Sequence, residues 1–304
     1  MAKLAVNLSG MTLANPLIPA SGTYGYGMDY LDFYDVNLVG RFSIKGTTLR
    51  PREGNALPRI AEYAGGMLNA VGLQNPGVTA VKQEIFPQLK KIYRGRVFAN
   101  VSGFSVEEYA QCAAQLDAED LVGIIELNVS CPNVHGGGMS FGTDPATAVS
   151  VLRAVKAVCR KPVYVKCTPQ CPDLPGMCRA LEEAGADGLV LCNTFLGTRL
   201  SLATGKPILA NGTGGISGPG IFPQALYRVW QIAPLVHIPI VGCGGVSCAE
   251  DVIEMLSAGA SAVEIGTQNL VDPLCIPRIL RDLERILDWL GVTDINEIIG
   301  RSHK

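Results

Sequence analysis

Residues 238–247 read IPIVGCGGVS, and two folds compete for them. In an open, doubly wound sheet, Gly242 and Gly244 would open a dinucleotide fingerprint. Ser247 would then stand where the third glycine belongs, and Glu264 would take the place of the acid that binds a ribose. At the end of the seventh strand of a (β/α)8 barrel, the same glycines would instead present backbone NH groups to a phosphate. EIGTQ (264–268) would then end the eighth strand beside them. The rest of the chain favours the barrel.

Short apolar or β-branched runs recur at 17–21 (LIPAS), 41–46 (RFSIKG), 96–103 (RVFANVSG), 124–130 (IIELNVS), 162–169 (PVYVKCTP), 188–194 (GLVLCNT), 238–245 and 262–268. Their near-continuous apolar character is that of strands buried on both faces. Helical patterns fill most of the intervals, at 79–93, 105–117, 144–159, 174–184, 219–232 and 248–258, and a last amphipathic segment covers 273–290. Ser105 with Glu108, and Ser247 with Glu250, have the spacing of capping boxes. Eight strand runs with helical segments between most of them predict a (β/α)8 barrel, with the doubly wound sheet as the competing fold. No linker or charge block divides the chain, so 1–304 reads as a single barrel domain. LAVNLSGMTL at the start predicts a hairpin turning at Ser9 and Gly10 that plugs the barrel bottom. The long connections 47–78, 131–143 and 195–217 all follow strands, which places them as loops on the C-terminal face, where barrel enzymes build their sites.

Composition narrows the class of protein. Lys and Arg number 25 against 27 Asp and Glu, with no basic run to follow a phosphate backbone, so nucleic acid is not an expected partner. The first residues lack a signal-peptide core and no stretch reaches membrane-span length, so a cytoplasmic location is expected. The ten cysteines are scattered, as reduced thiols are. Cys167, Cys171 and Cys178 lack an evident fourth ligand and read as buried thiols, and no metal site is expected.

Polar residues gather where strands end: Ser21, Lys45, Asn100, Asn128, Cys131, Lys166, Asn193 and Thr194. A barrel would bring them to one mouth. Lys45 and Lys166 each interrupt an apolar strand and need an anionic partner, which a ligand's charge would supply. TGGISGPG (213–220), opening another helix, adds NH donors to the glycine loops, which together favour a mononucleotide phosphate. Cys131 sits in NVSCPNVHGGG (128–138), where a strand runs into glycines. Such a loop can admit a substrate and then seal it from water.

These residues resemble a known family, the class 1 dihydroorotate dehydrogenases, and within it the catalytic subunits of the NAD-linked class 1B type. PASGTYGYG, SIKGTTLRPREGN, GGMLNAVGLQNPG, FANVSG, ELNVSCPNVHGGGMSFGTDP, YVKCTP, CNTFLGTR, LANGTGGISGPG, GCGGVS and EIGTQN are similar to family motifs over nearly the whole length. The resemblance implies an FMN-binding (β/α)8 barrel that oxidises (S)-dihydroorotate to orotate in pyrimidine biosynthesis. It places Ser21, Lys45, Gly46, Asn100, Asn128, Lys166 and Cys192 against FMN, with Lys166 near the ring edge where charge gathers on reduction. Gly218, Gly244, Gly245, Gly266 and Thr267 would hold the phosphate end. Orotate would meet Lys45, Asn69, Ala70, Val71, Gly72, Leu73, Asn128, Asn133, Asn193 and Thr194, and Cys131 would be the catalytic base. It further implies a homodimer at the centre of a heterotetramer, whose other subunits carry FAD and a [2Fe-2S] cluster and pass electrons to NAD. The chain departs from the family pattern at Gln170, Cys192, Gly212, Phe222 and His135, while His237 and His303 suggest no role. Two other readings stand beside this one: a related FMN barrel acting on another dihydropyrimidine, as in dihydropyrimidine dehydrogenases, and a non-catalytic flavin-binding partner.

Overall fold

The computed structural model describes residues 2–129 and 141–304. Strands β1 (Val6–Leu8) and β2 (Met11–Leu13) form an antiparallel hairpin whose turn residues Ser9 and Gly10 both take positive φ, 47° and 84°. Such a turn matches the right-handed twist of the strands it joins. Ser9 Oγ lies 2.9 Å from the Tyr164 hydroxyl and donates to Asp187 O. The hairpin therefore covers the N-terminal end of the barrel, as the sequence predicts.

Strand β3 (Leu17–Pro19) opens the barrel, and an excursion follows that carries β4 (Ile60–Tyr63) and β5 (Gly66–Asn69). Next come β6 (Val97–Val101), β7 (Val122–Asn128), β8 (Val163–Lys166) and β9 (Gly188–Leu191). A second excursion holds β10 (Phe195–Gly197) and β11 (Gly214–Ser217), before β12 (Ile240–Cys243) and β13 (Ala262–Ile265). The parallel sheet has the order β3-β13-β12-β9-β8-β7-β6. Residues 42–47 join its two edges: Ser43 N donates to Pro19 O at 3.0 Å, while Ile44 N and Thr47 N donate to Phe98 O and Asn100 O at 2.9 and 2.8 Å. This is the eighth stave, expected at 41–46 and present as isolated bridges. The closed parallel ring rules out the open sheet.

Every residue of β8, β9, β12 and β13 is buried, because helices cover one face and the barrel interior fills the other. The filling is tight. A Cβ at Gly188 would lie 2.2 Å from Tyr164 Cε1, so glycine there makes room for an inward ring that meets Phe98 edge-on.

The helices follow the predicted intervals, with three refinements. The 79–93 segment begins at Gly77 and includes a π-helical stretch, Val81–Ile85. Ser105 Oγ accepts from Glu108 N as expected, but the Glu108 carboxylate reaches back to Phe104 N. At the second predicted box the cap moves one residue: Cys248 is the N-cap, and Asp251, not Glu250, accepts from the backbone of Ser247 and Cys248 and from the Ser247 hydroxyl. Asp251 is the third helical residue from that cap, which is the position a capping box requires.

Two of the three long connections are more than loops. Strands β10, β11, β5 and β4 pair in that order as an antiparallel sheet over the C-terminal end. A small apolar cluster of Leu68, Ala70 and Leu209 packs beneath it, apart from the main core. The third connection, 131–143, lies mostly outside the described residues. Among the described residues, no helix is long and apolar enough to cross a membrane.

Candidate active site

Between the ends of the barrel strands and the antiparallel sheet lies one deep cavity. Alternation along parallel strands decides what faces it: on β7 the inward positions include Glu126 and Asn128, on β8 Tyr164 and Lys166, and on β6 Phe98 and Asn100. Tyr164 and Phe98 fill the bottom layer, a charged layer follows, and asparagines ring the top.

The charged layer is the site's main electrostatic feature. Lys166 is 4% exposed, and its Nζ lies 2.9 Å from Glu126 Oε1 and 2.5 Å from Glu264 Oε2. Both glutamates are fully buried, and Ser43 Oγ donates to Glu126 Oε2. Burial alone would push the Lys166 ammonium toward neutrality, but the two carboxylates more than reverse it, so its pKa lies well above the usual lysine value. Burial, with the Glu126 charge adding to it, pushes the Glu264 carboxyl up to about 7 against the pull of Lys166. Two carboxylates share one ammonium in a dry interior, and one of them holds a proton with little difficulty.

This layer corrects two sequence expectations. Lys166 does not wait for a ligand's charge, since β7 and β13 supply its counter-ions. Glu264 is not a ribose acid, because it points into the barrel beneath the cavity. The signal for both was present in the sequence, since Glu126 and Glu264 each interrupt an apolar run as conspicuously as Lys166 does.

Above this layer Asn100 is fully buried, with neither side-chain Nδ2 nor Oδ1 hydrogen-bonded. A buried amide with no partner costs roughly 1–3 kcal/mol, and this one faces the cavity. Asn193 Nδ2 donates to Asn128 Oδ1 at 3.4 Å, and Asn193 Oδ1 accepts from Thr194 N. Gln170, a departure from the family pattern, supports this corner: its Nε2 donates to Thr194 O at 3.3 Å. Cys192 is buried in the wall, and burial pushes its thiol up to about 12.

On the β12–β13 side, glycines bring the backbone to the surface of the cavity. Gly218 and Gly245 have φ of 104° and 79°, and a Cβ on them would lie 2.7 Å from Gly66 Cα and 2.6 Å from Phe222 Cα. Helix Phe222–Ile232 begins just beyond Gly218, and helix Ala249–Ser257 just beyond Gly245. Thr267 Oγ1 donates to Ser217 Oγ at 2.7 Å and ties the two glycine loops together. Exposed backbone at helix starts is the usual form of an anion cradle.

The cavity brings together Ser21, Lys45, Gly46, Asn69, Val71, Gly72, Leu73, Asn100, Asn128, Lys166, Cys192, Asn193, Thr194, Gly218, Gly244, Gly245, Gly266 and Thr267. Ala70 does not line the cavity and is fully buried with Leu68 and Leu209. Its carbonyl accepts from Asn55 Nδ2 at 2.9 Å, which holds the Asn69–Leu73 turn in place. Cys131, Asn133 and His135 lie outside the described residues. Sequence reasoning missed Met67, Ser217, Cys243, Gln268 and Leu270, which also line the cavity. Among the described residues no cluster of His, Cys, Asp or Glu could hold a metal ion. A hydrogen bond with Cys178, and then burial, hold the Cys167 thiol well above its usual pKa.

The fold and cavity define a (β/α)8-barrel site, with glycine-exposed backbone at the seventh and eighth strands and a buried cation below. Comparison with known proteins makes the class specific. Residues 3–287 match the family described as Dihydroorotate dehydrogenase. The chain is 50% identical over 304 residues to the catalytic subunit of dihydroorotate dehydrogenase B (NAD(+)) from Geobacillus kaustophilus (strain HTA426), covering 100% of this chain and 97% of that one. It is 49% identical over 304 residues to the protein of that name from Bacillus caldolyticus, with the same coverage. It is 50% identical over 302 residues to that from Anoxybacillus flavithermus (strain DSM 21510 / WK1), covering 99% of this chain and 96% of the relative. This chain belongs to the dihydroorotate dehydrogenase family.

Proposed function

We propose that the chain oxidises (S)-dihydroorotate to orotate at this cavity with a bound FMN, as the catalytic subunit of an NAD-linked enzyme. The observation that carries the reading is the convergence of a glycine cradle, a ring of asparagines of which Asn100 and Asn128 are buried, and a held ammonium on one cavity. The residues fit the cofactor, since the unpartnered amide of Asn100 faces the cavity and needs hydrogen-bonding atoms, and Gly218 and Gly245 let the two cradle loops pack close against neighbouring backbone. FMN, when bound, supplies a two-electron acceptor.

In this reading Ser21, Lys45, Gly46, Asn100, Asn128, Lys166 and Cys192 hold the ring system. Gly218, Gly244, Gly245, Gly266 and Thr267 hold the phosphate end through the cradle on β12 and β13. Asn69, Val71, Gly72, Leu73, Asn128, Asn133, Asn193 and Thr194, with Lys45, orient the substrate's carboxylate and ring amides. The substrate would lose a proton from C5 and a hydride from C6; Cys131 Sγ would take the proton, and the hydride would pass to the two-electron acceptor FMN. A thiol with an ordinary pKa of about 8.5 is mostly protonated at neutral pH, so turnover rises with pH.

The relatives are named as NAD(+)-linked catalytic subunits, which supports the wider proposal. The chain acts over 1–304 as one FMN-binding domain in the cytoplasm, as the homodimer core of a heterotetramer, and a partner with FAD and a [2Fe-2S] cluster delivers the electrons to NAD. Purification of the chain alone tests this. The expected product is a yellow protein that releases FMN on denaturation, and it should reduce NAD with dihydroorotate only after the partner is added. A chain that retains no flavin, or that reduces NAD unaided, overturns the corresponding part.

A further inference from the structure

Lys166, Glu126 and Glu264 sit just below the cavity floor. Glu264 differs from Glu126 in what satisfies it. Glu126 takes Lys166 on one oxygen and the Ser43 hydroxyl on the other. Glu264 takes Lys166 on Oε2 and hydrogen-bonds with the Cys243 thiol, a weak donor, while no N–H or O–H group reaches its buried Oε1. A buried carboxylate with only one strong donor is unfavourable, whereas the same group carrying a proton is neutral. Two groups connect this carboxyl to the cavity: the Lys166 ammonium and the Cys243 thiol both line the cavity and both face Glu264.

Resting on the flavin reading above, we propose that Glu264 is a positioning residue that takes a proton onto its carboxyl when negative charge arrives in the cavity over Lys166, and releases it when that charge leaves. The balance is simple. The proton comes from solvent and returns to it, no bond to carbon is made or broken, and the triad passes from a net charge of −1 to 0. Protonated Glu264 stops drawing on Lys166, which then turns its full charge toward the cavity. The charged and titratable groups facing Glu264 are Lys166 on β8, Glu126 on β7 and Cys243 on β12, with Cys192 behind Cys243. Neighbouring β3 contributes only Leu17, Ile18 and Pro19. Burial and the Glu126 charge raise the Glu264 carboxyl to about 7, so added charge in the cavity shifts its occupancy.

The test is the flavin midpoint potential of the FMN-loaded chain as a function of pH, in wild type and Glu264→Gln. Above about pH 7 the wild type should take up one more proton per two electrons than the variant, so its potential falls more steeply with pH. Below that pH the two slopes should agree. Parallel slopes throughout would overturn the proposal while leaving FMN binding intact, whereas a wild-type chain that binds no FMN would overturn the flavin reading itself. If Glu264→Gln does not fold, redox-difference infrared spectra of wild type with labelled glutamate decide the matter. A carboxylic-acid band that grows on reduction supports the proposal, and its absence overturns it.

Discussion

Lys166→Met removes the ammonium and leaves Glu126 and Glu264 facing one another in the barrel interior. The wild-type contacts are 2.9 and 2.5 Å, and both carboxylates are fully buried. Removing one partner of a buried ion pair costs about 3–5 kcal/mol, because the charge left behind is uncompensated. Methionine fills most of the lysine stem's volume, so loss of packing is a small part of that figure. In a chain of this size each kcal/mol corresponds to roughly 2 °C, so the apo variant should melt roughly 6–10 °C lower at about pH 8. The loss should shrink toward about pH 5, where a stranded carboxylate is protonated most readily. Replacing all three groups, Lys166→Met with Glu126→Gln and Glu264→Gln, should recover most of the stability, since a neutral set replaces a broken ionic one. Urea midpoints of the apo proteins across that pH range are the assay. A loss below about 1 kcal/mol, or one independent of pH, would refute the view that Lys166 holds the layer together.

Other substitutions probe other parts of the account. Burial, with the Glu126 charge, pushes the Glu264 carboxyl up to about 7 from an ordinary value of 4.5. The unfolded chain therefore releases this proton before the folded one does, and folded stability falls as pH rises through that interval. Glu264→Gln removes this fall, so denaturant midpoints should show it gaining roughly 3 kcal/mol on wild type between about pH 4.5 and pH 8. Asn100→Ala should leave apo stability unchanged or raised, because it removes an unpartnered buried amide, while FMN titration should show weaker binding. Gly218→Ala places a methyl 2.7 Å from Gly66 Cα at a φ of 104°. It should cost about 1–3 kcal/mol in strain, seen by calorimetry together with loss of FMN. Cys131→Ala should still perturb the flavin spectrum on orotate binding but bleach very slowly with dihydroorotate in stopped flow, and Cys131→Ser should also be impaired.

The parts of this molecule that were legible in the sequence are those in which one residue's neighbours along the chain carry the signal. The barrel strands announced themselves because a strand buried on both faces has almost no polar residues, so a lone Lys166 in YVKC stood out. The glycine loops were legible for the same local reason. The sheet over the mouth was not, because β4, β5, β10 and β11 are only three or four residues long and their partners lie far away in sequence, as in Gly215 opposite Asn69. Three-residue runs rich in glycine have no period to read. The pairing of Lys166 with Glu126 and Glu264 was hidden for a related reason. Each glutamate was visible alone, but only barrel closure brings β7 and β13 to either side of one ammonium. The shift of a helix cap from Ser247 to Cys248 shows the same limit at small scale, since Glu250 and Asp251 offer equally good carboxylates to a one-dimensional pattern.

The central claim is that this cavity oxidises dihydroorotate on a bound flavin, and anaerobic mixing of the purified FMN-loaded chain with substrate tests it most directly. Dihydroorotate should bleach the flavin's visible absorbance within one turnover, and dihydrouracil should leave it yellow. A flavin that stays oxidised with dihydroorotate, or that bleaches equally with dihydrouracil, would contradict the account.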